Sequence, residues 1–133
     1  MRAVALTITL LLIGQLSVQA ETNATTYFLS SYPLATCLDG SPAAYQLRVG
    51  NELGRILIFH EGGGECATME ECQARATTPL GSSANYTGGQ SPLPHLYGAV
   101  APYFDRDAVA NPLFHNWTHI YVRYCDGESP WPC

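Results

Sequence analysis

The sequence predicts an α/β domain, because segments with strand character surround one well-marked helix. The segments AAYQLRV (43–49), RILIFH (55–60) and THIYVRYC (118–125) are rich in apolar, β-branched and aromatic residues, as strands are. The second is almost unbroken in its apolar character, which indicates a strand buried on both faces. A helix is predicted over 68–78, after three consecutive glycines, and at 133 residues the chain allows one domain at most.

The start and end of the predicted helix carry specific signals. Thr68-Met69-Glu70-Glu71 has the S/T-x-x-E form of a capping box, in which Thr68 caps the helix and Glu71 reaches back to the Thr68 amide. Glu71 also lies four residues before Arg75, the spacing of an ion pair on a helix surface. Pro79 is expected to end the helix.

Outside the helix, residue patterns predict a two-faced strand and an irregular segment. In the first strand, alternation places Tyr45, Leu47 and Val49 on one face. Residues 80–110 are rich in Gly, Ser and Pro, and we expect a long irregular segment there, with a short helix near LYGAV (96–100).

The first twenty residues have the pattern of a secretory signal peptide. Arg2 precedes the apolar run AVALTITLLLIG, and small residues at positions 18 and 20 predict cleavage after Ala20. An N-terminal anchor is the alternative, but the apolar run is too short to span a bilayer. Residues 21–36, rich in Thr and Ser, are expected to form a loose lead-in to the domain.

Three sequons follow the predicted signal peptide, at Asn23, Asn85 and Asn116. Together they indicate an exported glycoprotein, with Asn116 the one whose closeness to the core could prevent modification. We therefore expect an extracellular location, in a cell wall or matrix.

The charge pattern excludes two classes of partner. The chain has no lysine, and its six arginines are outnumbered by eleven acidic residues, for a net charge of −5. No basic patch is available to hold nucleic acid or an anionic membrane. The sequence therefore predicts no nucleic-acid partner and no membrane span.

The stretch FHEGGGEC (59–66) is the strongest candidate for a functional loop, because glycine opens the backbone to a ligand. Phosphate binding fits poorly, since G-x-G-x-x-G and G-K-S/T are both absent and Glu61 and Glu65 would repel an anion. Two interpretations remain open from these residues alone. The loop is either a tight turn from strand to helix or an oxyanion hole made of backbone amides.

The cysteines indicate disulfides, the default in a secreted chain. Cys66 and Cys72 flank the helix start, where a bridge would hold the glycine loop against the helix. Zinc with His60 is the alternative, but the gap between the two cysteines is long for a zinc knuckle and no second pair follows. We expect no metal and no cofactor.

Several blocks of the sequence, in order, resemble the pectin acetylesterase and Notum carboxylesterase family. These blocks cover most of residues 37–127 and are CLDGSPAAYQLR, IFHEGGGEC, EECQAR, LGSS, NPLFHNW and VRYCDG. The family comprises secreted serine esterases of the α/β-hydrolase type. The resemblance implies that residues 37–127 are the N-terminal part of an α/β-hydrolase-like fold, followed by a divergent tail, 128–133.

The resemblance also implies roles for single residues. Gly63 and Gly64 take the oxyanion-hole positions through their backbone amides, and Glu61 takes a structural position that helps to fix the loop. The implied disulfides join Cys66 to Cys72 and Cys37 to Cys125, which leaves Cys133 free or intermolecular.

The sequence departs from the family at points that matter for function. Glu65 stands where plant-type members carry tryptophan, and a carboxylate there argues for a short acyl group. No G-x-S-x-G nucleophile motif exists in these 133 residues; in GSSAN, Ser83 has Asn85 two positions after it instead of glycine. We expect structural rather than catalytic roles for all four histidines, His60, His95, His115 and His119.

Two functional hypotheses follow from this sequence. The first is a secreted serine carboxylesterase that hydrolyses an acetyl or other short acyl ester, on a pectin-like polysaccharide or an acylated protein. In this chain it is truncated before the nucleophile, acid and base, and so is inactive as it stands. The second is a non-catalytic glycoprotein that uses the same scaffold as a binding or decoy module. A structural disulfide-rich mini-domain is weaker, because five cysteines do not make a dense pattern here.

Overall fold

A computed structural model describes residues 23–92 and 102–128, which form one mixed five-stranded sheet and one helix. The strands have the spatial order β3-β5-β2-β1-β4. Only β3 and β5 are parallel; every other neighbouring pair is antiparallel. In chain order the elements are β1 (Asn23–Phe28), β2 (Ala44–Arg48), β3 (Ile56–His60), α1 (Met69–Arg75), β4 (Gly89–Pro92) and β5 (Thr118–Val122).

The three predicted strands form as β2, β3 and β5, but two further strands were not predicted. Residues 23–28 lie inside the expected loose lead-in, yet they form β1, which pairs with β2 and β4. The Thr and Tyr side chains of this segment suit a pleated sheet, so its polar composition was a poor guide. The strand β4 likewise interrupts the irregular segment expected at 80–110. The predicted signal peptide and the helix near LYGAV lie outside the described residues.

The helix α1 begins with the predicted capping box. The Glu71 amide donates to Thr68 Oγ1 at 3.2 Å, and Glu71 Oε2 accepts from the amides of Thr68 at 3.2 Å and Ala67 at 2.9 Å. The Glu71 carboxylate is thus committed to the cap. The predicted ion pair with Arg75 is not formed, because Arg75 turns toward the glycine loop. The helix ends at Arg75, three residues before the predicted end, in a turn that leads to Pro79.

The covered face of the sheet is not the one that carries the apolar residues of β2. In β2 the buried residues are Ala44, Gln46 and Arg48, whereas the apolar Tyr45 and Leu47 are only half-buried. Next to the strand, Val49 is exposed. The polar face is covered because residues 102–117 pack on it and place Phe104 there.

The strand β3 lies at one edge of the sheet, although its composition predicted burial on both faces. In the part of the chain that the structure describes, Ile56 is 52% exposed and Ile58 is 57% exposed. The register places Ile58 opposite Ile120, which in turn lies opposite Leu47. An apolar strip therefore runs across the open face and ends at an unpaired edge, an arrangement that favours aggregation.

We predict that Ile58→Lys raises the solubility of the purified chain and changes its free energy of unfolding by less than about 0.5 kcal/mol, because the side chain is exposed. Tyr121→Lys is the control on the buried face of the neighbouring strand, where Tyr121 is 3% exposed and stacks on Phe59. It should cost more than about 3 kcal/mol, since it replaces a buried, stacked aromatic ring by a charged side chain of different shape. Light scattering and urea unfolding measure both effects, and equal destabilisation by the two variants would contradict this account of the faces.

A buried polar cluster holds the 102–117 segment against the sheet. His119 is fully buried; its Nε2 donates to Phe114 O at 2.8 Å, which leaves Nδ1 to accept from Arg48 Nη2. The Arg48 guanidinium also donates to Phe104 O. Burial, together with the adjacent Arg48 charge, lowers the pKa of His119 to about 4. Neutral His119 is therefore part of the folded state, a structural role for this histidine.

This cluster makes stability depend on pH. Unfolded His119 binds a proton below about pH 6.5, whereas the folded protein resists protonation down to about pH 4. The unfolded state thus gains protons first as the pH falls, and the chain loses up to about 3 kcal/mol between these values. In thermal unfolding at pH 7 and pH 5, His119→Gln should lose less stability on acidification than the unmodified chain. Equal losses would show that His119 does not titrate in this way.

Candidate functional site

The glycine loop, residues 61–66, leaves the sheet where β3 ends. Because β3 and β5 are parallel, the segments that follow them emerge together at the carboxyl ends of the two strands, the usual place for a site in an α/β sheet. The Glu61 amide donates to Val122 O at 2.9 Å, which continues the pairing by one residue. The loop then runs past Tyr124, the second residue after β5.

Glu61 anchors the start of the loop. Its Oε2 accepts from the Tyr124 amide at 3.1 Å and lies 3.1 Å from Arg123 Nε, a contact that has the distance of an ion pair but not the angle of a hydrogen bond. The Arg123 guanidinium lies over the Tyr86 ring, 4.2 Å from its centroid. Burial raises the pKa of Tyr121, and the Glu61 carboxylate raises it further. These contacts give Glu61 the structural position that the family resemblance implies.

The three glycines meet different surroundings. Gly63 lies directly against the Tyr124 ring, so a Cβ there would overlap the ring carbons and would lie 3.1 Å from Leu80. Gly64 has φ +71°, a left-handed conformation that favours glycine. Gly62 has open space around the position of a Cβ and no positive φ. Close approach and backbone conformation therefore explain two of the three glycines.

The carbonyl groups of the loop are held by two side chains. Arg75 Nη1 donates to Gly63 O at 2.7 Å and to Gly64 O at 3.2 Å. Arg75 Nη2 donates to Glu65 O at 3.4 Å, and the Tyr124 hydroxyl donates to Gly64 O. Sequence reasoning missed both contacts. It had assigned Arg75 to a surface ion pair, and it had no means of placing Tyr124 opposite a loop sixty residues earlier.

The amide groups of the same loop are unpaired at its centre. Within residues 23–92 and 102–128, the amides of Gly62 to Glu65 donate to no protein acceptor. At the far end of the loop, by contrast, the Cys66 amide donates to Gly127 O at 3.1 Å. A run of unpaired amides beside a sheet edge is the arrangement that an oxyanion hole requires.

Two disulfides hold this region together, and they join the pairs that the family resemblance implies. Cys66 and Cys72 connect the end of the glycine loop to α1, with their Cα atoms 5.2 Å apart. Cys37 and Cys125 connect the loop before β2 to the segment after β5, across a sequence separation of 88 residues. Cys133 lies outside the described residues.

No serine–histidine pair accompanies the loop in the described part of the chain. Ser83 is 3% exposed, and its amide donates to Ser41 Oγ at 2.9 Å. Asp39 Oδ1 accepts a hydrogen bond from the Ser41 amide. Hydrogen bonds from Ser41 and Ser82 lower the pKa of the Asp39 carboxyl. His115 Nδ1 contacts the Asn111 carbonyl at 3.0 Å, and His95 is not among the described residues. The geometry thus gives Ser83 a structural setting.

The described residues also bear on metal ligands, membrane helices and sequons. Among them, His, Cys, Asp and Glu side chains do not gather in groups of three or more that could hold a metal ion, and the seven-residue helix α1 is too short to span a bilayer. Asn85 and Asn116 are both exposed, so closeness to the core does not shield Asn116. The side chain of Asn23 lies outside the described part of the chain.

Comparison with solved structures identifies the class of fold. The Wnt deacylase Notum from Drosophila (crystal form II) superposes with a TM-score of 0.63 at 23% identity, covering 79% of this chain and 28% of that chain. This similarity shows an α/β-hydrolase-like fold, of which the present chain forms part, as predicted.

The sequence comparisons then give the family. The Pectinacetylesterase family matches residues 17–130, and the chain belongs to this family. Pectin acetylesterase 4 of Arabidopsis thaliana is 42% identical over 95 residues, which are 70% of this chain and 21% of that protein. The inactive palmitoleoyl-protein carboxylesterase notum1b of Danio rerio is 31% identical over 95 residues, or 70% of this chain and 63% of that protein. The chain thus spans about a fifth of the length of the Arabidopsis relative.

We predict that Gly63→Ala destabilises the chain by about 1–3 kcal/mol, because the new methyl group overlaps the Tyr124 ring. Gly62→Ala is the matched control, one residue earlier in the same loop, and should change stability by less than about 0.5 kcal/mol. Denaturant unfolding under non-reducing conditions compares the two variants. The packing of Gly63 on Tyr124 would be refuted by equal stabilities.

Proposed function

We propose that residues 37–127 form the oxyanion-stabilising part of a secreted carboxylesterase that hydrolyses an acetyl or other short acyl ester. The observation that carries the proposal is the glycine loop, with unpaired amides at its centre and its carbonyls bonded to Arg75 and Tyr124. Membership of the Pectinacetylesterase family supports the same reaction.

The chemistry requires these amides when a nucleophile attacks the ester carbonyl. The carbonyl oxygen then gains negative charge, and donors fixed in advance stabilise that charge without reorganising. We assign this role to the backbone amides of Gly63 and Gly64. Backbone donors suit it because they carry no charge of their own and are fixed by the fold.

A serine esterase also needs an activated nucleophile, an acid and a base. The 133 residues contain no G-x-S-x-G, and the described residues hold no serine bonded to a histidine. We infer that these 133 residues by themselves do not hydrolyse esters. The oxyanion donors alone lower a barrier only for a reaction that some other group begins.

The substrate class follows from the relatives and from one side chain. The relatives are named for pectin and for palmitoleoyl-protein, so acylated polysaccharide and acylated protein are the two candidates. Glu65 is exposed beside a shallow cleft of about 520 Å³ that Ala74 and Leu80 also line. Burying its carboxylate against a long acyl chain would be costly. A short acyl group, on a pectin-like polysaccharide, therefore fits better.

The predicted signal peptide, residues 1–20, and the sequons support an extracellular glycoprotein. Asn85 and Asn116 are accessible for modification, and Asn23 follows the predicted cleavage site by three residues. In this setting the two disulfides are stable, since oxidising compartments preserve them.

A non-catalytic binding or decoy module is the second candidate. The observation in its favour is that the present chain covers 63% of a zebrafish relative whose own name describes it as inactive. A short member of this kind would use the same sheet edge to bind an acylated ligand without cleaving it.

The test compares two proteins on 4-nitrophenyl acetate and acetylated pectin. One is the 133-residue chain, and the other is the same chain extended with a family segment that contains G-x-S-x-G. We expect no turnover from the first and esterase activity from the second. Gly64→Val in the extended protein should lower kcat more than it changes KM, because the amide acts on the transition state.

Two outcomes separate the alternatives. Turnover by the 133-residue chain that is lost both in Ser83→Ala and with a serine-directed inhibitor would overturn the proposal. If neither protein shows turnover and the shorter one binds acetylated pectin, the non-catalytic module would be favoured.

A further inference from the structure

We propose that Arg75 and Tyr124 are positioning residues that orient the glycine loop, so that the amides of Gly64 and Glu65 face the acyl oxygen. The inference rests on the proposed function and extends it, since neither side chain belongs to a serine-esterase triad. It also adds the Glu65 amide to the donors that the family resemblance implies.

The orientation follows from the peptide geometry. In a trans peptide the C=O and the N–H of the next residue point in opposite directions, and the described residues contain no cis peptide. The Gly63 carbonyl, bonded to Arg75, therefore turns the Gly64 amide away from the guanidinium. The Gly64 carbonyl, bonded to Arg75 and to the Tyr124 hydroxyl, does the same for the Glu65 amide.

A glycine-rich loop needs this kind of external support. Gly62, Gly63 and Gly64 have more conformational freedom than other residues, and ordering each one costs more backbone entropy. Hydrogen bonds from a charged guanidinium are stronger than those between neutral groups and offset part of this cost. The planar fork of arginine reaches three successive carbonyls, which a single lysine ammonium cannot match.

The guanidinium also affects how well the amides donate. A peptide whose carbonyl accepts a charged hydrogen bond is polarised, and its N–H becomes a better donor. Arg75 therefore supports the developing oxyanion through the peptide units, from the opposite side of the loop. In this arrangement Arg75 acts without touching the substrate.

The Cys66–Cys72 disulfide fixes the base from which Arg75 reaches. Cys72 and Arg75 are three residues apart in α1, so they share one face of the helix. The bridge holds that face against the end of the loop, where Cys66 also donates to Gly127 O. The helix, the disulfide and Arg75 thus act together on the glycine loop.

The first experiment measures backbone order by ¹⁵N relaxation in the 133-residue chain, with its signal peptide removed. We expect the Gly64 and Glu65 amides to have order parameters near 0.85 and to fall below about 0.6 in Arg75→Gln. Tyr124→Phe keeps the ring against Gly63 but removes one of the two donors to Gly64 O, so its effect should be smaller. Arg55→Gln is the control, because it removes an exposed ion pair with Glu52 and leaves the loop untouched.

The second experiment measures kcat and KM in the extended protein that contains G-x-S-x-G. Arg75→Gln should lower kcat about 10-fold to 100-fold with KM changed less than about 3-fold, since misplaced donors act on the transition state. Arg75→Lys should recover less than half of the loss in log kcat, and Arg55→Gln should behave as the unmodified protein.

The outcomes are separable. Order parameters unchanged in Arg75→Gln would overturn the positioning role, whether or not the extended protein is an esterase. If the loop amides lose order in Arg75→Gln while kcat stays unchanged, the link between the positioning role of Arg75 and catalysis would be overturned. An inactive extended protein with intact Arg75 would refute the proposed function, and the relaxation data would still decide the role of Arg75 in the loop.

Discussion

The parallel pairing of β3 with β5 is the constraint on which the candidate site depends. In this pair Ile58 lies opposite Ile120 and His60 lies opposite Val122, so both strands finish at the same edge. The residues that follow, Glu61 after β3 and Tyr124 after β5, are therefore brought into contact although they are 63 positions apart. The glycine loop begins at Glu61 and is held at this end of the sheet by the contact with Tyr124.

The sheet that carries the edge has two unlike faces. One is covered by the 102–117 segment and contains Arg48 and His119, a buried polar pair that donates hydrogen bonds to the carbonyls of Phe104 and Phe114. The other is apolar and open in the described part of the chain, with Ile58 at its edge. Hydrophobic burial thus contributes less here than the composition suggests, and hydrogen bonds and disulfides carry more of the structure.

Sequence reasoning succeeded where the signals are local. The capping box at Thr68 and Glu71 and the strands β2, β3 and β5 all depend on neighbouring residues. It failed where tertiary contacts decide: the Thr-rich β1 became a strand through its partners, and alternation in β2 could not show that the side with Arg48 is the covered one. The supports of the loop, Arg75 and Tyr124, depend on the fold in the same way. The Cys66–Cys72 bridge also has a local signal, whereas Cys37–Cys125 could be named only because the sequence resembles a known family.

The proposed oxyanion hole can be observed in the structure of the extended, G-x-S-x-G-containing protein after reaction with a phosphonate that mimics the tetrahedral intermediate. If the glycine loop presents its amides to the acyl oxygen of an ester, the phosphonyl oxygen will lie about 2.7–3.1 Å from loop amides, with the Gly64 amide among the donors. A phosphonyl oxygen bound by other groups, with the loop amides turned elsewhere, would contradict it.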